Sequence, residues 1–216
     1  MGKTAVVIGA SGLIGQHLVT LLAKSSAFER VITITRRPIV PIAKHIENHV
    51  IDFNELDKHQ GLFKADVLFC CLGTTKKQVG SIEAQYVIDV DYPVIAATLA
   101  QQQGVSHMLV VSSSGANLQS RSRYLKMKGE LEASLIALDF PYLTILRPSL
   151  LLGERPSFRL GEKIAGWLLP ILTLIPGLTK YRPIEGEVVA RKMLQLSSQK
   201  KLNSLEILVL DQIFVG

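Results

Sequence analysis

The sequence predicts a doubly wound α/β fold, a mainly parallel sheet with helices on both faces. First, the chain has 216 residues, of which 48% are hydrophobic and 19% charged, so one domain can bury a sizeable core. Second, six short β-rich runs recur, and most are separated by stretches with helical spacing. Third, several of these runs are apolar throughout, as in strands that are buried on both faces of a parallel sheet.

The predicted elements follow in order from the N-terminus. The first strand spans Lys3 to Ile8, and apolar residues at helical spacing then continue to Lys24. The other predicted strands are Val31 to Thr35, His49 to Phe53, Asp66 to Leu72, His107 to Val111 and Tyr142 to Leu146. Two further helices are predicted, from Pro93 to Gln103 and from Tyr124 to Leu138.

The pattern weakens beyond Arg147, and we expect a small C-terminal cap, over about 148–216, on the same single domain. This region contains an uncharged stretch from Ile164 to Leu178, a helix from about Glu185 to Ser197 and a terminal apolar run from Leu205 to Leu210. The uncharged stretch is too short to span a bilayer. It is either a helix packed on the sheet edge, a lid over an apolar substrate, or a membrane-surface or dimer face.

A glycine-rich segment, GASGLIG, lies directly after the first strand and opens the first helix. Gly9 permits a tight turn, Gly12 lets the backbone approach a pyrophosphate, and Gly15 allows close packing of helix on strand. Free N–H groups at the helix start also favour an anion. The position indicates a Rossmann-type dinucleotide site rather than a plain glycine turn. Its predicted binding residues are Gly9, Ser11, Gly12, Leu13, Ile14 and Gly15.

The end of the second strand predicts which coenzyme is bound. An NAD site usually offers an acid there to the adenosine ribose, but this chain has Arg36 and Arg37. Two guanidinium groups could hold a 2′-phosphate, so NADP(H) is favoured over NAD(H). Asp52 and Phe53, after the third strand, are expected near the adenine, although Asp52 would equally serve as a helix cap.

The fourth strand runs into a further predicted coenzyme segment, because the carboxyl ends of parallel strands border the ligand crevice. The binding residues expected there are Cys71, Leu72, Gly73 and Thr74. The adjacent thiols of Cys70 and Cys71 could suggest redox chemistry. Neighbouring strand side chains point to opposite faces, however, and apolar surroundings make thiols inert, so packing is the favoured interpretation.

A candidate catalytic group follows the fifth strand. The segment YLKMK places Tyr124 and Lys128 four residues apart on one helix face, and VVSSSGA supplies serines at the strand end. A free phenol has a pKa of about 10, so an ammonium group is needed to stabilise the phenolate at neutral pH. In this scheme Tyr124 transfers a proton, Lys128 stabilises the phenolate, and a serine orients the substrate oxygen. Tyr124 and Lys128 are also predicted to contact the coenzyme, and Lys128 could bond its ribose. The alternative is an amphipathic helix with a half-buried tyrosine and a solvated lysine.

Several motifs together resemble the atypical short-chain dehydrogenases/reductases, and in particular the Tat-interacting-protein-like NAD(P)-binding group and its bacterial relatives. They are GASGLIG, CLGTT, VDYP, VVSSSGA, YLKMKGELE and LRPSLLLGER, and they cover nearly the whole chain. The resemblance implies an NADP(H) site with Ser113, Tyr124 and Lys128 in the catalytic places. It also implies that the loop after Arg147 and Pro148 helps to enclose the nicotinamide end. Ser112 and Ser114 are neighbouring alternatives to Ser113.

Other features narrow the partners and the compartment. The five histidines show no metal-ligand spacing, so no metal is expected. The basic run Arg121, Arg123, Lys126, Lys128 could attract an acidic substrate, but without interleaved aromatics we expect no nucleic acid. Two adjacent cysteines cannot form a disulfide framework, and the start MGKTAVVIGASG does not resemble a secretory signal or a spanning helix, which predicts a cytoplasmic protein without a transmembrane segment.

The leading hypothesis is therefore an NADP(H)-dependent oxidoreductase that acts on a carbonyl or alcohol group of a small molecule. If the uncharged stretch forms a lid, that small molecule is expected to be apolar. The runner-up is an NADP(H)-binding regulatory or scaffold protein with little turnover, which the small size of the chain leaves open. The sequence distinguishes neither the substrate nor a homodimer from a monomer.

Overall fold

The computed structural model describes residues 2–152, 182–199 and 203–214. The strands in chain order are β1 (Lys3–Ile8), β2 (Phe28–Thr35), β3 (Ile46–Val50), β4 (Val67–Cys70), β5 (His107–Val111), β6 (Tyr142–Arg147), β7 (Leu151–Leu152), β8 (Ile184–Glu185) and β9 (Leu205–Val209). Seven of them form one sheet in the order β3-β2-β1-β4-β5-β6-β9, while β7 and β8 pair separately. Every pairing is parallel.

Helices connect the strands and cover both faces of the sheet. They are α1 (Leu13–Lys24), α2 (Lys76–Val79), α3 (Ile82–Tyr86), α4 (Tyr92–Gln102), α5 (Arg123–Ala137) and α6 (Gly186–Ser198). A π-helical turn, Val87–Asp91, joins α3 directly to α4, and a 3₁₀ segment, Phe53–Phe63, follows β3.

The core has two parts, one on each face of the sheet. Along β1, Val6 and Ile8 belong to one buried cluster, whereas Ala5 and Val7 belong to the other, as the two-residue period of a strand requires. The first cluster packs against the 3₁₀ segment, α4 and α5, and the second packs against α1 and α6. This arrangement confirms the doubly wound parallel α/β fold that the sequence predicts.

The C-terminal part of the described chain differs from the expected cap. The terminal apolar run forms β9, the seventh strand of the main sheet, in register with β6 from Leu143 opposite Leu205 to Arg147 opposite Val209. The helix expected from about Glu185 is α6, which packs against α1. These elements therefore belong to the main sheet and to the helical layer on one of its faces. The uncharged stretch from Ile164 to Leu178 lies outside the described residues.

Strand β3 also differs from the prediction. It begins three residues earlier than expected and ends at Val50, so residues 51–53 have left the sheet. The carboxylate of Asp52 accepts a hydrogen bond from the Asn54 backbone N–H and caps the 3₁₀ segment, which ends the strand. Across residues 2–152, 182–199 and 203–214, no helix combines the length and the apolar character needed to cross a membrane.

The strand order creates the location of the candidate site. From β1 the chain builds outward to β2 and β3 on one side, and from β4 it builds outward on the other side. The connections after β1 and after β4 therefore leave in opposite directions, and a crevice opens between them at the carboxyl ends of the strands. Ligands of open α/β sheets bind at such a switch point.

Candidate coenzyme and catalytic site

The glycine turn after β1 is as tight as its sequence predicts. Gly9 has a φ of +79°, and a Cβ atom there would lie 2.5 Å from the carbonyl carbon of Cys71. A Cβ atom on Gly15 would lie 2.1 Å from the carbonyl oxygen of Gly9. Gly9 therefore brings β1 against the chain leaving β4, and Gly15 brings α1 against the turn. At Gly12 a Cβ atom would meet the Gly9 oxygen at 3.2 Å, a closer approach than most side chains make.

The N-terminus of α1 is left open toward the crevice. Gly12 is its N-cap residue, no side chain caps the helix, and its first turn contains no acid. A serine hydroxyl caps α3 and α5, through Ser81 and Ser122, whereas α2, α4 and α6 have no side-chain cap either. The backbone N–H groups of Leu13 and Ile14 are among those that an α-helix leaves without an intrahelical partner. Uncapped N–H groups and the positive end of the helix fit a pyrophosphate.

The predicted adenosine residues follow β2 and β3. Arg36 and Arg37 come directly after the last residue of β2, and both side chains are exposed, so both can reach a ligand at the sheet edge. Asp52 serves as the cap described above, which is the alternative role that its position allows. The ring of Phe53 is buried and packs edge-to-face against Tyr92, with 5.5 Å between the ring centroids. Any contact of Phe53 with a coenzyme would therefore be made by its backbone and not by its ring.

The segment after β4 forms the opposite wall of the crevice. Space above Gly73 is open, because a Cβ atom there would meet nothing within 4 Å. Cys71 and Leu72 are half-buried, and Cys70 is fully buried. Burial raises the pKa of the Cys70 thiol to about 11 and raises that of Cys71 well above its usual value. Both thiols are therefore suited to packing rather than to redox chemistry.

Helix α5 carries the candidate catalytic pair. Lys128 Nζ lies 6.0 Å from the centroid of the Tyr124 ring, so the two side chains share a helix face as their spacing predicts. The tyrosine is 37% exposed, so its side chain is not buried in the core. The lysine is not the solvated side chain of the alternative interpretation, because only 3% of it is exposed.

The partner of the lysine was not among the predicted residues. Asp89, on the π-helical turn, places Oδ2 3.1 Å from Lys128 Nζ and is 1% exposed. Its other oxygen, Oδ1, accepts a hydrogen bond from the Thr74 backbone N–H at 2.7 Å. An acid between the apolar residues Ile88 and Val90 was the sequence signal that could have indicated a buried role.

The three serines after β5 have different roles. The Ser112 hydroxyl is buried and donates to Glu132 Oε1 at 2.5 Å. Glu132 also receives hydrogen bonds from the guanidinium group of Arg147, including 3.0 Å from Nε. Ser112 is therefore engaged in a structural network between β5, α5 and β6. Ser113 and Ser114 are half-buried and remain the two candidates for a substrate contact.

The serine loop is held directly against α5. The Asn117 backbone N–H donates to the Leu125 carbonyl oxygen at 3.1 Å, and a Cβ atom on Gly129 would lie 2.5 Å from the Asn117 carbonyl carbon. The loop continues toward β6, because the Ser114 backbone N–H donates to the Pro148 carbonyl oxygen at 3.0 Å. The structure thus brings together α5, the serine loop and the residue after β6. Among the described residues, no three metal-binding side chains converge.

A parallel sheet that leads through a glycine turn into an uncapped helix defines an NAD(P)-binding Rossmann protein. Comparison with known proteins agrees: the chain belongs to the NAD(P)H-binding family, whose model matches residues 9–163. It is 40% identical over 161 residues to Protein FMP52, mitochondrial, from Candida glabrata, covering 74% of this chain and 68% of that protein. It is 33% identical over 190 residues to Protein HTATIP2 from Rattus norvegicus, covering 80% of this chain and 78% of that protein.

These relatives confirm the resemblance to atypical short-chain dehydrogenases/reductases. Among solved structures, MoeE5 in complex with UDP-glucuronic acid and NAD superimposes with a TM-score of 0.73 and 20% identity, over 96% of this chain and 76% of that one. At this identity the likeness supports the fold alone. It agrees with the Rossmann-type sheet described above.

The relatives also correct one expectation. FMP52 proteins from Candida glabrata, Eremothecium gossypii, Debaryomyces hansenii and Saccharomyces cerevisiae are all named mitochondrial. The cytoplasmic location expected from the sequence is therefore wrong, and these names point to the mitochondrion. The reason is physical: buried, unpaired thiols fit any reducing compartment, and they do not distinguish one such compartment from another.

Proposed function

We propose that this protein is an NADP(H)-dependent oxidoreductase that reduces a carbonyl group, or oxidises an alcohol, on a small molecule. The observation that carries the proposal is the pair on α5: a partly exposed tyrosine beside a buried, charge-paired lysine. A solvated surface helix would bury neither the lysine nor an acid with it. The pair also lies next to the serine loop and to the wall formed after β4.

Each residue of the site has one task in this proposal. NADPH, when bound, would supply the hydride for reduction of the carbonyl carbon. Tyr124 donates its phenolic proton to the carbonyl oxygen, so that the alcohol product is neutral, and in the reverse direction the phenolate takes this proton back. The Lys128 ammonium stabilises the phenolate electrostatically. The Ser113 hydroxyl, with Ser114 as the alternative, donates a hydrogen bond that orients the substrate oxygen.

The preference for NADP(H) over NAD(H) is part of the proposal. Its support is the exposure of Arg36 and Arg37 directly after β2, where an NAD site usually has an acid. Charged hydrogen bonds to a phosphate contribute about 1.5–3 kcal/mol each, which is enough to separate the two coenzymes by at least about tenfold.

The test is consumption of NADPH across a panel of aldehydes and ketones, with Tyr124→Phe as the matched variant. The phenylalanine keeps the ring but removes the transferable proton, so turnover should fall about a hundred- to ten-thousandfold while NADPH still binds. If Tyr124→Phe turns over a true substrate within a few-fold of the unaltered protein, the tyrosine does not perform this chemistry. Tight NADPH binding without any substrate would favour the regulatory alternative.

A further inference from the structure

The ion pair between Asp89 and Lys128 is almost completely buried, although burial of charged groups is energetically unfavourable. The exposed fractions of the two side chains are 1% and 3%, and the charged atoms are 3.1 Å apart. Transfer of each ion out of water costs several kcal/mol, and an apolar pair of similar size is often as stable or more stable. The presence of a buried ion pair here is therefore better explained by a functional role of the Lys128 ammonium group than by a contribution to the stability of the fold.

Asp89 connects this lysine to the wall of the crevice. Its Oδ1 accepts a hydrogen bond from the Thr74 backbone N–H at 2.7 Å, while Gln85 Nε2 donates to the Thr74 carbonyl oxygen at 3.1 Å. Gln85 and Asp89 are four residues apart, and both are buried. One face of the helix thus holds both backbone polar groups of Thr74, in the segment that follows β4.

The backbone around Asp89 has an unusual form. The residue is at the centre of the π-helical turn Val87–Asp91, inserted between α3 and α4. Such wide turns appear mainly as single insertions in α-helices and frequently lie at functional sites. The next residue, Val90, is buried in the hydrophobic core. The turn therefore places Asp89, one of its two acids, inward against Lys128 and Thr74.

We propose that Asp89 is the positioning residue for Lys128. One carboxylate oxygen fixes the ammonium group, and the other is fixed by Thr74, so Lys128 is held in place relative to the wall after β4. The proposal rests on the proposed function, since it takes Lys128 to lie beside both Tyr124 and the bound coenzyme. The charge of Asp89 has a second effect: it offsets the ammonium, so that the positively charged oxidised nicotinamide is accepted beside it.

The test is Asp89→Asn, measured by the affinities for NADP⁺ and NADPH in calorimetric titrations. Asparagine keeps the size and can still accept from Thr74, but it leaves Lys128 without a counter-charge. The affinity for NADP⁺ should fall at least about fivefold more than that for NADPH, because only the oxidised nicotinamide is repelled by the uncompensated ammonium. Affinities within twofold of the unaltered protein, or equal losses for both coenzymes, would overturn the proposal.

Gln85→Leu is the matched control. It removes the other hydrogen bond to Thr74 from the same helix face and changes no charge. The proposal expects the ratio of the two affinities to stay as in the unaltered protein. If Gln85→Leu changes that ratio as much as Asp89→Asn does, the effect comes from movement of the Thr74 segment, and Asp89 has no separate role toward the ammonium.

A second variant covers the case in which Asp89→Asn does not fold. The double variant Asp89→Asn with Lys128→Met removes both charges of this ion pair, so it should fold if the lysine alone is what requires the acid. Failure of the double variant as well would assign Asp89 to the fold through Thr74 and overturn the proposal. None of these measurements needs turnover, so the absence of any substrate would refute the oxidoreductase and leave the role of Asp89 standing.

Discussion

Gly15 and Gly12 share one turn, but the structure predicts opposite consequences for alanine at the two positions. A Cβ atom on Gly15 would lie 2.1 Å from a backbone oxygen, so the backbone itself must move by about 1 Å. Overpacking of this kind costs about 3 kcal/mol, and the better helix propensity of alanine returns about 1 kcal/mol. The net loss of about 2 kcal/mol corresponds to a fall in melting temperature of about 4–8 °C for a chain of this length.

Alanine at Gly12 meets the same oxygen at 3.2 Å, and the φ of −81° suits any residue. Gly12→Ala should therefore melt within about 4 °C of the unaltered protein. The added methyl group stands where a pyrophosphate approaches the backbone, so NADPH affinity should fall at least about tenfold. Thermal melts with and without NADPH, together with titrations, separate the two effects. A Gly15→Ala protein that melts unchanged, or a Gly12→Ala protein that binds NADPH normally, would refute this reasoning.

Two further outcomes are expected. Replacing Arg36 and Arg37 together with alanine should weaken NADPH at least about tenfold and leave NADH unchanged in calorimetric titrations; equal affinities of the unaltered protein for both coenzymes would contradict the phosphate role. The Cys70 thiol should react with iodoacetamide at least about tenfold more slowly in the folded than in the unfolded protein at pH 7.5, because the side chain is fully buried and burial raises its pKa to about 11, which lowers the fraction of reactive thiolate. Peptide mass spectrometry of timed samples, with a urea-unfolded control, measures this ratio.

The fold could be predicted because its signals are local. Strand β5 has the predicted bounds, His107 to Val111, since all five residues are buried and the run is apolar. Strand β3 was displaced by three residues because it is an edge strand, where polar residues such as Glu47 and Asn48 are tolerated and the apolar pattern is weak. Membership of β9 in the sheet depends on pairing with a distant strand, which no local pattern reveals.

The candidate site was predictable only in part, for the same reason. Tyr124 and Lys128 are four residues apart, so helix geometry alone brings them together. Asp89 reaches the same lysine from a separate helix, and its position depends on the π-helical turn and on the packing of the two helices. Glu132, likewise, was visible only as one charge on α5 until the structure placed Arg147 and Ser112 around it.

The strand order also has a consequence for how the chain is made. Among the described strands β1 is synthesised first. It lies inside the sheet, and its neighbour β2 follows it along the chain, so this half can assemble early. The outer edge of β6 stays unpaired until β9 has been synthesised. Paired residues of the two strands, such as Leu143 and Leu205, are 62 positions apart in the sequence. At synthesis rates of about 5–20 residues per second, that edge stays unpaired for roughly 3–12 s. An open strand edge is a template for association, so the nascent protein is exposed to association during this interval.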